Sequence, residues 1–222
     1  MRTIISLPKK QKRKIPEDLK IDDNRFSESL VEYLLNEYTK RKDKVLDIFA
    51  GLGTTLFVAE EMGRIPYGIE FDKQRYEYIC DNLENKENII NGDALKLLEY
   101  NLPTCDFFLT SPPYMHKEDN ENPFTAYTRS GNYENYLRDY VKVFSQVKQV
   151  MKSNSVVAVE IANIKIDGEV TALAWDVSKE ISKVLKFEGE IIIKWEGEEE
   201  DNTNGIYGCG YDHSYCLIFR NK

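Results

Sequence analysis

Apolar positions along the chain fall into two alternating patterns, short continuous runs and stripes of helical spacing. The runs at 44–49, 66–70, 88–93, 105–110, 155–161, 190–195 and 213–220 predict seven strands. Leu30, Val31, Leu34, Leu35 and Tyr38 line one face of a helix for which Ser27 is the N-cap. Further helices are predicted after Gly53, ending near Gly63, then over 73–85, 95–100, 135–151 and 169–186. Strands that alternate with helices predict an α/β fold, with a mostly parallel sheet covered on both faces. No helix separates the last two strands, which predicts an antiparallel C-terminal hairpin.

Composition changes this picture little. The chain has 222 residues, 41% hydrophobic and 12% aromatic, enough for one α/β domain with a real core. The apolar runs are too short to cross a bilayer, so no membrane partner is expected. The first residues carry no extended apolar segment, so no secretory leader is expected either. Cys80, Cys105, Cys209 and Cys216 form no Cys-x-x-Cys pair. Neither a metal site nor a disulfide framework is expected, and reduced thiols in a cytoplasmic protein are the default.

Charge adds a tension. The net charge is −8, which alone argues against a nucleic-acid partner. The distribution is uneven: Arg2, Lys9, Lys10, Lys12, Arg13, Lys14 and Lys20 face only Glu17 and Asp18 in the first twenty residues, while acids crowd 196–201. A basic arm over 1–22 reads equally well as a solvated terminus or as a phosphate-tracking segment.

In open parallel sheets, ligands bind beyond the carboxyl ends of the strands. The first strand leaves through Asp47-Ile-Phe-Ala-Gly-Leu-Gly-Thr-Thr55. Gly51 and Gly53 permit a close backbone approach, although Gly-x-Gly alone is a weak signal. There is no third glycine and no phosphate-loop lysine, and Asp47 suits a cationic ligand better than a phosphate. S-adenosylmethionine, with its ammonium and sulfonium, has the right sign. Glu70 ends the second strand, where a carboxylate can accept both ribose hydroxyls. Asp93, before Ala94, is either the N-cap of the next helix or an acceptor for an adenine amine.

Ser111-Pro-Pro-Tyr114 at the exit of the fourth strand is the strongest signal. Pro112 and Pro113 fix the backbone and remove two donors, so the loop presents carbonyls. An exocyclic amine on a base is a poor nucleophile because its lone pair is delocalised into the ring. Acceptors facing both amine hydrogens, here the Ser111 hydroxyl and the Pro112 carbonyl, favour its pyramidal form and aim it at a methyl donor. Tyr114 can stack on a flipped base.

With both motifs in place, the chain resembles the DNA amino-methyltransferases that act on adenine N6 or cytosine N4, over about 26–220. The resemblance implies a Rossmann-like seven-stranded sheet with the last hairpin reversed, as one methyltransferase domain over 23–222. It implies that S-adenosylmethionine is met by Phe26, Ser27, Asp47, Phe49, Ala50, Gly51, Gly53, Thr54, Thr55, Glu70, Phe71, Asp93 and Ala94. It implies that Ser111, Pro112, Pro113 and Tyr114 are catalytic. Serine at the first motif position leans toward cytosine N4, and Gly131-Asn-Tyr-Glu-Asn-Tyr-Leu137 is also similar to that group.

The departures bear on the target. No insert between the motifs is large enough for a target-recognition domain, which leaves 115–132, the basic arm and 197–211 as readers. Loose specificity, an obligate partner subunit or homodimer, or a target other than duplex DNA is therefore expected. DNA is expected ahead of RNA, with a restriction–modification setting as the natural context. The rival readings are an RNA base methyltransferase acting on guanine N2 or adenine N6, a protein-glutamine methyltransferase, and a silent binding module. His116 is as readily a loop residue as a substrate contact, and His213 is expected to be structural.

Overall fold

The computed structural model describes residues 2–19, 25–125, 131–196 and 209–222. Its centre is an eight-stranded sheet. In chain order the strands are β1 (Ile4–Pro8), β2 (Lys44–Asp47), β3 (Ile65–Glu70), β4 (Ile89–Asn91), β5 (Cys105–Thr110), β6 (Met151–Ile161), β9 (Lys186–Glu196) and β10 (His213–Arg220). Across the sheet they run β1-β9-β10-β6-β5-β2-β3-β4. All neighbours are parallel except β10, which runs antiparallel to both β6 and β9. The Rossmann-like sheet with its reversed C-terminal hairpin is thus present, with one strand more than the seven expected.

Helices α1 (Glu28–Tyr38), α2 (Thr54–Glu61), α3 (Lys73–Asn82), α4 (Tyr133–Val150) and α5 (Leu173–Ile181) cover the sheet. Alternation along β5 shows how one strand serves two cores. Phe107 and Leu109 join Leu30, Leu34 and Val58 on the α1–α2 side. Phe108 joins Val143, Phe144 and Val177 on the α4–α5 side. This packing brings the exits of β2, β3, β4, β5 and β6 to one edge. No helix among the described residues is long and apolar enough to cross a membrane.

The extra strand comes from the N-terminal segment, which is therefore not a solvated terminus throughout. Ile4–Pro8 pairs in parallel with Ile192–Glu196 and so forms the sheet edge. The chain then folds back on α1. Lys10 donates its backbone N–H to the Ser27 hydroxyl at 2.7 Å. Lys10 and Lys12 both pair with Glu32, at 3.1 and 2.9 Å, and Arg13 pairs with Glu61 at 2.6 Å. These pairs join the segment to α1 and α2.

The predicted helix over 169–186 begins later. Strands β7 (Ile164–Ile166) and β8 (Glu169–Thr171) make a hairpin, and only Leu173–Ile181 is α-helical. Asp167 and Gly168 join the two strands, both at positive φ (50° and 86°). That is the conformation of a tight two-residue hairpin turn, for which Asp-Gly is a preferred sequence.

Candidate functional site

The strand exits surround a cavity of about 890 Å³, a size suited to a cofactor and part of a substrate. The glycine loop forms one side. Gly51 adopts φ +55°, and its N–H donates to Glu70 Oε2 at 2.6 Å. Glu70 Oε1 accepts from the Asp72 N–H at 2.8 Å. Each oxygen keeps accepting capacity beyond that bond. Burial pushes the Glu70 carboxyl up to about 7, with the Asp72 and Gly51 N–H groups pulling against it.

The cavity wall holds Phe26, Phe49, Ala50, Gly51, Thr54, Glu70, Phe71, Asp93 and Ala94 from the cofactor set, and all of Ser111, Pro112, Pro113 and Tyr114. Four residues of the predicted cofactor set lie off the wall. Ser27 caps α1, with its hydroxyl accepting from the Ser29 N–H. Asp47 is 1% exposed and sits beneath the loop, where Oδ1 accepts from the Thr110 hydroxyl at 2.6 Å and the Phe49 N–H at 3.1 Å. Burial pushes the Asp47 carboxyl up to about 6. Gly53, at φ +81°, faces inward: a Cβ there would lie 2.8 Å from the Phe57 ring and 3.0 Å from Ile79. Thr55 is buried at the start of α2. Asp47 and Gly53 shape the loop from behind, while Ser27 and Thr55 are buried away from the cavity.

Asp93 combines the two readings given to it. Its Oδ1 accepts from the Leu95 N–H at 2.9 Å, and the residue still borders the cavity. Its own N–H donates to the Tyr100 hydroxyl at 2.8 Å, which steadies the turn.

Several wall residues went unforeseen, among them Arg25, Arg75, Phe124, Glu160 and Cys209. Phe124 lies in the polar 115–132 stretch, part of which is packed rather than open. It meets Phe49 edge-on at 5.3 Å and Tyr140 at 5.0 Å. Asn122 holds this turn, donating to Asp139 Oδ2 at 2.8 Å while accepting from the Phe124 N–H. His116 is buried, off the wall, and accepts at Nδ1 from the Glu118 N–H. Residues 126–130 and most of the 197–211 segment, including the acidic run from 197 onward, lie outside the described residues. His213 sits in β10 between Asp212 and the Tyr215 hydroxyl.

Glu160 carries the clearest missed signal, a single acid in the apolar run 156–161. It is 1% exposed. Its Oε2 accepts from the Ser111 hydroxyl at 2.8 Å and the Tyr114 hydroxyl at 3.3 Å. Burial, followed by the proximity of Glu160, holds the Tyr114 phenol well above its usual range. Because Ser111 gives its one hydrogen to Glu160, its oxygen is left as an acceptor only.

These features fit S-adenosylmethionine. A loop with Gly51 in the left-handed region, a paired but accepting carboxylate at Glu70 and an apolar rim from Phe26, Phe49 and Phe71 meet the needs of an amino acid, a ribose and an adenine. Glu70 makes the fit testable. Its carboxyl takes up a proton on folding, so the ligand-free fold loses stability as pH rises from 4.5 toward about 7. Were Glu70 to accept from ribose hydroxyls, they would favour its ionised form, and cofactor affinity would rise over that range. Calorimetric titration at about pH 6 and about pH 8 should show roughly a tenfold gain in affinity that is absent in Glu70→Gln. An equal gain in the variant would exclude Glu70 as its source.

Comparisons with known proteins agree with this geometry. The family model N6_N4_Mtase, described as DNA methylase, matches residues 4–81 and 105–222. Over 80 residues the chain is 30% identical to the type II methyltransferase M.BglII of Bacillus subtilis, covering 34% of this chain and 22% of that one. The match therefore spans less than a quarter of that relative's length. Among solved structures, TrmN from Thermus thermophilus aligns over 91% of this chain and 51% of its own, with a TM-score of 0.62 and 14% identity. A TehB-like SAM-dependent methyltransferase from Corynebacterium glutamicum aligns over 86% and 87%, with a TM-score of 0.57 and 10% identity. At such identities the structural likeness speaks for the fold. The family and the fold together imply S-adenosylmethionine as the cofactor.

Proposed function

This chain belongs to the DNA methylase family, and we propose that it methylates the exocyclic amino group of a base in DNA, cytosine N4 first and adenine N6 second. The observation that carries this reading is that the Ser111–Tyr114 loop and the glycine loop with Glu70 form walls of one cavity. A methyl donor and a base amine can therefore share it.

S-adenosylmethionine supplies an electrophilic methyl group when bound. Glu70, Gly51 and Asp93 are the residues proposed to hold it, with Phe26, Phe49 and Phe71 beside its apolar parts. Asp47 keeps the loop in shape through the Phe49 N–H. Ser111 Oγ and the Pro112 carbonyl accept from the amine hydrogens and orient its lone pair. Pro113 contributes a fixed backbone, and its carbonyl accepts from the Tyr136 hydroxyl at 2.9 Å, which ties the loop to α4. No side chain has to act as a strong base, because the methylated amine gives its surplus proton to water.

Tyr114 is proposed to stack on the base. Stacking of this kind contributes about 1–3 kcal/mol. Tyr114→Ala should raise KM for DNA about tenfold, with Tyr114→Phe close to the native value. Unchanged KM in the alanine variant would rule out the stacking role. The target readers, a partner subunit and a restriction–modification context belong to the same proposal.

A further inference from the structure

We propose that Ser214 is a positioning residue of the site: held in direction by the Trp195 indole, its hydroxyl secures Glu160, and through Glu160 it fixes how Ser111 presents its oxygen to the amine. This inference rests on the base-methylating reading above and adds two residues to its machinery.

The sheet sets up the contact. Strands β9, β10 and β6 are neighbours, with Ser214 opposite Ile193 and Cys216 opposite Glu160. Side chains two positions apart on a strand share a face, so Trp195, Ser214 and Glu160 stand in a row across three strands. That face is the α1–α2 side, where Ile193, Trp195 and Cys216 join the core. Ser214 and Glu160 are each 1% exposed and Trp195 is 6% exposed. An indole N–H only donates, and Trp195 Nε1 donates to Ser214 Oγ at 3.2 Å. The Ser214 hydroxyl is hydrogen-bonded in turn to the Glu160 carboxyl. The indole takes a lone pair of Ser214, which directs the single hydroxyl hydrogen to Glu160.

Glu160 thus collects three hydroxyl donors, from Ser111, Tyr114 and Ser214. Such donors stabilise a carboxylate and oppose burial, which pushes this carboxyl up. The balance matters because of Ser111. Facing a carboxylate, Ser111 gives up its hydrogen, and its oxygen is left to accept from the amine. Facing a neutral carboxyl, Ser111 can receive a hydrogen and turn its own toward the amine, donor against donor. The titratable groups that face Glu160 are Tyr114, Cys209 and Cys216, each pushed up by burial first and by Glu160 next, so all three stay protonated near neutrality. The other charged residues on the cavity wall are Arg25, Glu70, Asp72, Arg75 and Asp93.

The test follows two quantities against pH in wild type, Ser214→Ala, Ser214→Thr and Trp195→Phe. One is single-turnover methyl transfer to DNA at saturating S-adenosylmethionine, which keeps the titration of Glu70 out of the rate. The other is the Glu160 carboxyl signal in carbon NMR of the glutamate-labelled protein, assigned through Glu160→Gln. In Ser214→Ala, loss of one hydrogen bond to a charged group should move both the acid limb of the rate and the Glu160 titration up by about one pH unit. Trp195→Phe should move both the same way by less. Ser214→Thr keeps the hydroxyl and should return both to the wild-type position. A serine that only packs would lower the rate at every pH and move neither curve, and that result would overturn the proposal. Should Ser214→Ala not fold, Trp195→Phe decides it, because the ring is kept and only the N–H is lost. A moved titration with an unmoved rate limb would leave the hydrogen bond in place but overturn its role in transfer. Transfer to no nucleic acid by wild type would instead overturn the parent reading, and the positioning role with it, whatever the NMR titration shows.

Discussion

Ser111→Ala should lower the rate of methyl transfer by about a hundredfold and leave S-adenosylmethionine affinity within about twofold. Loss of one pre-positioned polar group at a reacting centre costs on this scale. The separation of effects follows from the geometry. Ser111 touches Glu160, while Glu70, Gly51 and Asp93 at the other strand exits make no contact through it. Removal of the hydroxyl takes away an acceptor for the amine and also one of the two donors to Glu160 Oε2. Single-turnover transfer and calorimetric titration on the same preparation check this. Equal losses in both would mean that Ser111 only supports the fold of the loop.

Gly53→Ala should unfold roughly 10 °C below the native protein, the largest stability loss of any single methyl added in the glycine loop. Two costs add. The left-handed backbone at φ +81° disfavours a Cβ by about 1–2 kcal/mol. The new carbon would also sit 2.8 Å from the Phe57 ring and 3.0 Å from Ile79, and overpacking of a buried contact costs about 1–3 kcal/mol. Their sum, about 3 kcal/mol, converts at roughly 2–4 °C per kcal/mol in a chain of this size. Gly51→Ala is the control. It shares the left-handed backbone (φ +55°) but has open space, with its nearest neighbour at 3.9 Å. It should lose only about 3 °C. Thermal unfolding followed by circular dichroism distinguishes the two, and equal shifts would show that the backbone alone sets the cost.

These two glycines illustrate how far a sequence speaks. Both were legible as a tight turn, but which one lines the cavity was not. That depends on Phe57 and Ile79, which arrive from α2 and α3. The apolar runs defined the interior strands well, because burial on both faces leaves little choice of residue. Edge elements were harder to read. Ile4–Pro8 sits among lysines and arginines, so its charge masked a strand whose pairing partner lies far along the chain at Ile192–Glu196. The β7–β8 hairpin was legible in Asp167-Gly168, yet the helical spacing of the following residues obscured it. In the site, a motif announced Ser111–Tyr114. Glu160 had no motif, and only the fold reveals its contact with Ser111 across 49 positions. Phe124 likewise reaches the cavity through the Asn122–Asp139 hydrogen bond, a contact that no local pattern encodes.

The central claim is tested most directly by incubating the protein with methyl-labelled S-adenosylmethionine and, in parallel, unmethylated DNA, total RNA and protein, then digesting each product to nucleosides or amino acids. The account predicts label in DNA, as N4-methylcytosine first and N6-methyladenine second. Label confined to RNA or to protein, or no label despite bound cofactor, would contradict it.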